Sequence, residues 1–121
     1  TVSVLCVDLY DQDADVPVLN DEAFYQSCYN VLAKGGLMSV NLFGRRASFD
    51  DSARRVAAIF GIEQVWQLTP TREGNTILVA ARGVVVPERD TLRERADTIE
   101  TLYGLPAKKW LRMVRPLTLK N

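Results

Sequence analysis

The sequence predicts an α/β fold in which two parallel strands with helices lead into an antiparallel hairpin, and helices close the C-terminal end. Three observations carry this. An apolar run near the start, Val4-Leu5-Cys6-Val7, breaks off at acids, and a second, Leu37 to Phe43, follows a helical stripe; strands of that kind lack polar alternation and belong to parallel sheets covered on both faces. The succession strand, helix, strand, helix implies right-handed crossovers. The pattern then changes, because the linker T-P-T-R-E-G-N between two later strand-like runs is too short to hold a crossover helix.

Ser3 to Asp8 is the first strand, expected to be buried, with Asp8 and Asp11 at its carboxyl end. In open α/β sheets ligands bind just beyond that end, where the connecting loops splay apart. The acidic loop Q-D-A-D-V-P-V-L follows, and Pro17 argues against regular structure there. Asp21 is suited to cap a helix in which Phe24, Tyr25, Cys28, Val31 and Leu32 recur at helical spacing and Gly35-Gly36 closes the last turn. Leu37 to Phe43 is the second strand, and parallel pairing sets Asn41 to Gly44 beside Asp8. Ser48 and Asp51 resemble a capping box ahead of a second helix, whose stripe is Phe49, Ala53, Val56, Ala57 and Phe60 and whose end is Gly61. Ile62 to Leu68 and Thr76 to Arg82 form the antiparallel pair, turned where Gly74-Asn75 can take positive φ.

Beyond Gly83 and Pro87, a charged helix carries a narrow apolar face of Leu92, Ile99, Leu102 and Tyr103 and stops at Gly104. The last segment, Ala107 to Val114, sets Trp110, Leu111 and Val114 among Lys108, Lys109, Arg112 and Arg115, which reads as a solvated basic face around a docking tryptophan. The expected organisation is one α/β unit over residues 1–83 and a helical tail over 84–121.

Composition narrows the function. A chain of 121 residues with 15 basic and 15 acidic side chains has no global field to draw in nucleic acid. No apolar run approaches the roughly 18 residues that a membrane span needs, and no leader resembles a signal peptide, so a cytoplasmic setting is expected. The opening at Thr1, already inside a strand, suggests a piece of something longer. Histidine is absent, which removes Ser-His-Asp and Cys-His machinery and the commonest zinc ligand; no metal site is expected. Cys6 and Cys28 lack metal-ligand spacing and are expected to be buried thiols. Carboxylates and tyrosines remain as acid–base groups. Tyr25, Tyr29, Trp66 and Trp110 are expected to serve core or interface packing.

Several stretches taken in order resemble one family. V-D-L-Y-D, a Pro and a Leu in the following loop, D-E-A-F-Y-Q-S-C-Y-N-V-L-A-K-G-G-L-M-S-V-N-L and G-N-T-I-L-V-A together look like the spermidine synthases, the polyamine aminopropyltransferases. The likeness runs from Ser3 to Arg82. It implies the C-terminal half of a Rossmann-like, S-adenosylmethionine-dependent methyltransferase-type sheet, in which a D-x-x-D pair follows the fourth strand and an Asn or Gln stands on the fifth.

The reaction that the resemblance implies moves an aminopropyl group from decarboxylated S-adenosylmethionine to an amine. A protonated amine cannot attack the carbon beside the sulfonium, so a carboxylate must hold the polyamine and accept its proton. On the family pattern Asp8 is the catalytic base, Asp11 binds the substrate's amino groups and Tyr10 supports them. Asp13 and Asp15 read first as a solvated acidic loop, and second as added field for a polycation.

The family's Gly-rich nucleoside turn, ribose acid and adenine walls have no counterpart here, so the chain alone is expected to bind no nucleoside and to be inactive by itself. Decarboxylated S-adenosylmethionine, or S-adenosylmethionine, is the expected co-substrate of the parent protein. Two other readings stand beside this one: a methyltransferase of the same fold, and a non-catalytic assembly module. The apolar first strand, left without its outer neighbour, is expected to invite another chain, giving a homo-oligomer.

Overall fold

The computed structural model describes residues 1–9, 21–43 and 46–119. The strands are β1 (Val2–Leu9), β2 (Leu32–Phe43), β3 (Val65–Leu68), β4 (Asn75–Ala81) and β5 (Val114–Pro116); the helices are α1 (Glu22–Val31), α2 (Arg46–Phe60), α3 (Arg89–Tyr103) and α4 (Ala107–Met113). The strands form one sheet in the order β1-β2-β4-β3-β5. β1 and β2 are parallel and the other pairings antiparallel, which is the α/β architecture that the sequence predicts.

One face of this sheet carries the core. Met38, Val40 and Leu42 of β2, Leu78 and Ala80 of β4 and Val65 of β3 pack with Tyr25, Cys28 and Leu32 from the α1 side and with Ala53, Val56, Ala57 and Phe60 of α2. α2 buries the stripe that its spacing predicts, with Phe49 partly covered, whereas α1 buries Tyr25 and Cys28 but leaves Phe24 half-buried and Val31 41% exposed. Asp21 caps α1 by accepting the Phe24 N–H at 2.7 Å, and Gly61, at φ 93°, ends α2.

The end of α1 differs from expectation. The helix stops at Val31, and Leu32 is already extended. Its last carbonyls do not need a glycine cap, because the Arg82 guanidinium donates to Tyr29 O at 3.0 Å and Leu32 O at 2.7 Å, while lying 4.5 Å over the Tyr29 ring. Gly35 and Gly36 serve β2 instead. A Cβ on Gly36 would sit 2.8 Å from Ala33 O and 3.1 Å from Ser3 O, so only glycine lets β1 and β2 approach here. Regular pairing with β1 starts at Val4↔Leu37, after an irregularity.

Other boundaries shift for local reasons. α2 begins at Arg46, so Ser48 lies inside its first turn rather than at its cap. Ile62–Gln64 is a 3₁₀ turn ahead of β3. In the β3–β4 turn Gly74 alone takes positive φ, at 92°, while Asn75 opens β4.

Burial brings larger corrections. β1 is an edge strand: Val2, Ser3, Val4 and Cys6 are exposed, Val4 by 65%, while Leu5 and Val7 lean on the core. The Cys6 thiol is therefore exposed, whereas Cys28 is buried. On α3 the expected apolar face is mostly in water, with Leu102 66% and Tyr103 71% exposed; Ala96 is the residue it buries. The tail also returns to the sheet. β5 pairs with β3, and Leu117 enters the core.

Candidate functional site

Three strand ends meet at one rim of the sheet. β1 and β2 finish there because they are parallel, and β4 starts there because it is antiparallel to β2. The β3–β4 turn completes this rim. In the parallel register Asp8 stands directly beside Asn41, and the Asn41 Nδ2 donates to Asp8 Oδ1 at 3.2 Å. Asp8 is exposed and Asn41 half-buried. The amide thus fixes the rotation of a carboxylate that faces water and remains open to a ligand.

Register also decides which face these groups occupy. Met38, Val40 and Leu42 turn toward the core, so Asn41, one residue out of phase, turns to the other face together with Asp8. On β4, Asn41 stands opposite Ile77, and Asn75 opposite position 43. Asn75 consequently shares that face. Its backbone is held firmly: Asn75 N–H donates to Thr71 Oγ1 at 3.1 Å, and Thr71 N–H donates to Asn75 O at 2.9 Å. The side-chain oxygens of Asn41 and Asn75 are buried and accept no hydrogen bond.

Of the residues that the sequence singles out for chemistry, Asp8 lies at this rim, and its expected neighbour Asn41 is at its side. Tyr10, Asp11, Asp13 and Asp15 lie outside the described residues, as do Pro17 and Gly44. The sequence gives no sign of Asn75 as a rim residue, since Gly-Asn is first a turn signal; counting register across β2 is what exposes it.

Tyr25, Cys28 and Tyr29 belong to packing. Tyr25 is buried beneath α2, and burial pushes its phenol up to about 12, against a hydrogen bond with Ser52 that pulls the other way. Burial likewise raises the Cys28 thiol. Tyr29 packs edge-on against Phe60, with centroids 5.1 Å apart. In the tail, Lys108 contacts Asp97 at 3.3 Å and Glu100 at 3.6 Å, which neutralises part of the basic segment. Trp110 is 45% exposed.

Among the described residues no group of three or more His, Cys, Asp or Glu could hold a metal ion, and no helix is long and apolar enough to cross a membrane. The sequence from 10 to 20 contains no glycine, and the Gly35-Gly36 pair is spent inside β2 on strand packing.

No protein-family model matches the chain. Polyamine aminopropyltransferases from Neisseria meningitidis serogroups A and B are each 26% identical to it over 109 residues, covering 89% of this chain and 41% of theirs. The chain thus spans about two-fifths of the length of the curated relatives it matches. Among solved structures, spermidine synthase from Thermotoga maritima aligns with a TM-score of 0.62 at 20% identity, over 98% of this chain and 40% of that one. A spermidine synthase in complex with the transition-state analogue AdoDATO gives 0.58 at 21% identity, over 84% and 37%. A probable spermidine synthase from Corynebacterium glutamicum gives 0.54 at 20% identity, over 91% and 43%. The structural likenesses establish the fold.

Proposed function

We propose, starting from a chain that is spermidine-synthase-like in sequence and fold across part of such an enzyme, that it forms the amine-handling side of a polyamine aminopropyltransferase. The observation that carries this reading is Asp8, exposed at the carboxyl end of a parallel strand with its carboxylate braced by Asn41.

The amine half of the chemistry follows from that arrangement. A cationic amine is drawn to the Asp8 carboxylate and oriented by the hydrogen bond it donates there. The ammonium first gives one proton to the carboxylate, which acts as general base; the neutral nitrogen then makes the new carbon–nitrogen bond as the carbon–sulfur bond breaks and the sulfur leaves as a neutral thioether. Asp11 and Tyr10 are proposed to hold the remaining amino groups, following the family pattern. The sulfonium donor finds no cradle here, so no step in its binding is assigned to this chain, which is proposed to be inactive alone.

Two further parts of the reading concern setting and assembly. The exposed outer edge of β1 offers unpaired backbone groups to another chain, and a homo-oligomer through β1 is proposed. Free thiols at Cys6 and Cys28 suit a reducing compartment such as the cytoplasm.

Calorimetry on the full chain tests the amine reading. Putrescine is expected to bind with an affinity that falls as salt rises, and Asp8→Asn is expected to weaken it about 10- to 100-fold, the worth of a hydrogen bond to a charged group. S-adenosylmethionine and its decarboxylated form should give no heat. Micromolar binding of either nucleoside in the absence of amine binding would overturn the reading.

A further inference from the structure

The rim holds two acceptors that the fold leaves unused. Asn41 Oδ1 and Asn75 Oδ1 are buried side-chain oxygens that meet no donor. Buried polar atoms in native proteins are nearly always hydrogen-bonded, so such an atom calls for an explanation. Here both orphans sit at one end of the sheet, on one face and on adjacent strands, with Asn41 directly beside Asp8. Slack does not account for Asn75, whose backbone is fixed on both its N–H and its C=O sides by Thr71.

The chemistry of the set is one-sided. Asn41 spends one of its two amide N–H groups on Asp8, and the atom it keeps buried without a partner is its oxygen. With the Asp8 carboxylate and the Asn75 oxygen, the rim presents acceptors along a diagonal over β1, β2 and β4. Strand spacing puts Asn75 about 8 Å from Asn41 and about 12 Å from Asp8 along the backbone surface. A ligand that satisfies all three must carry N–H donors spread along a chain. A phosphate or carboxylate would leave both buried oxygens unpaired and face the Asp8 carboxylate as a like charge.

We infer that Asn75 is a second amine-recognition residue, accepting the far N–H group of a linear diamine or polyamine whose near end lies at Asp8. This rests on the amine reading above and extends it to a residue on the β3–β4 turn. Asn41 Oδ1 lies between the two ends, where the inner secondary amine of a polyamine would donate to it; a diamine engages Asp8 and Asn75 alone. The length of the ligand, not only its charge, is then read by the sheet itself.

The test uses the full chain, with calorimetry against putrescine and against butylamine, which has one amino group. The unmodified chain is expected to prefer putrescine at least tenfold. Asn75→Ala should lower putrescine affinity about tenfold, leave butylamine unchanged and, because an unsatisfied oxygen is removed, raise Tm by up to about 5 °C. Asn75→Asp, which keeps an acceptor, should restore the preference for the diamine. If the unmodified chain binds both amines and Asn75→Ala leaves their ratio unchanged, or if Asn75→Asp behaves like Asn75→Ala, this inference is overturned while the role of Asp8 stands. If neither amine binds, both are overturned together.

Discussion

Asp8 and Tyr25 occupy opposite extremes of solvent exposure, and their substitution should separate function from stability. Asp8 is exposed and its one described partner is the Asn41 amide. Asp8→Asn is therefore expected to shift unfolding free energy by less than about 0.5 kcal/mol in urea titration while reducing putrescine affinity. Tyr25 does the reverse. Its phenol titrates near 10 in an unfolded chain and at about 12 in the folded one. Between those values the unfolded chain releases its proton while the folded chain keeps it, so stability falls as pH rises above 10. The loss approaches about 1.4 kcal/mol per pH unit and ends near the folded value. Tyr25→Phe should abolish this alkaline slope. It should also cost about 1–2 kcal/mol at neutral pH, because Ser52, 1% exposed, loses its partner. Denaturant unfolding at pH 7, 10 and 11 checks both statements.

At the scale of the element, the join between α1 and the sheet depends on two residues from distant parts of the chain. Arg82, at the end of β4, satisfies the last carbonyls of α1 and covers Tyr29. Arg82→Met keeps much of the packing and loses both donors, with an expected cost of about 1–3 kcal/mol by chemical denaturation. Gly36→Ala drives a methyl group against backbone oxygens of positions 33 and 3, and a similar loss is expected, with β1 the first strand to gain amide-exchange exposure. What the sequence could reveal follows the same division. α1, α2, the regular part of β2 and the β3–β4 pair are visible because their periodicity or turn chemistry is local. The exposure of Cys6 and of Leu102 was not, because it depends on what covers an element rather than on the element itself. β5 was hidden in three residues, Val-Arg-Pro, that pair only because β3 lies beside them. In the site, Asp8 is legible as an acid ending an apolar strand. Asn75 is not, since its face is set by alignment across two strands.

For the molecule as a whole, β1 is the open boundary. It carries no proline or lysine, the usual guards of a free edge, and it shows Val2, Val4 and Cys6 on the side away from the core. Light scattering after size exclusion is expected to show concentration-dependent dimers, and Val4→Lys to return the chain to monomers; a monomer at high concentration without that substitution would remove β1 from the assembly. The parallel pairing of β1 with β2 has one more consequence. A slip of a single residue between them would swing Asp8 over to the side of Val40 and Leu78, where an unpaired carboxylate costs several kcal/mol. The acid at the rim thereby proofreads the alignment of the strands that carry it, and a chain whose strands have mismatched cannot keep both a dry interior and a charged rim.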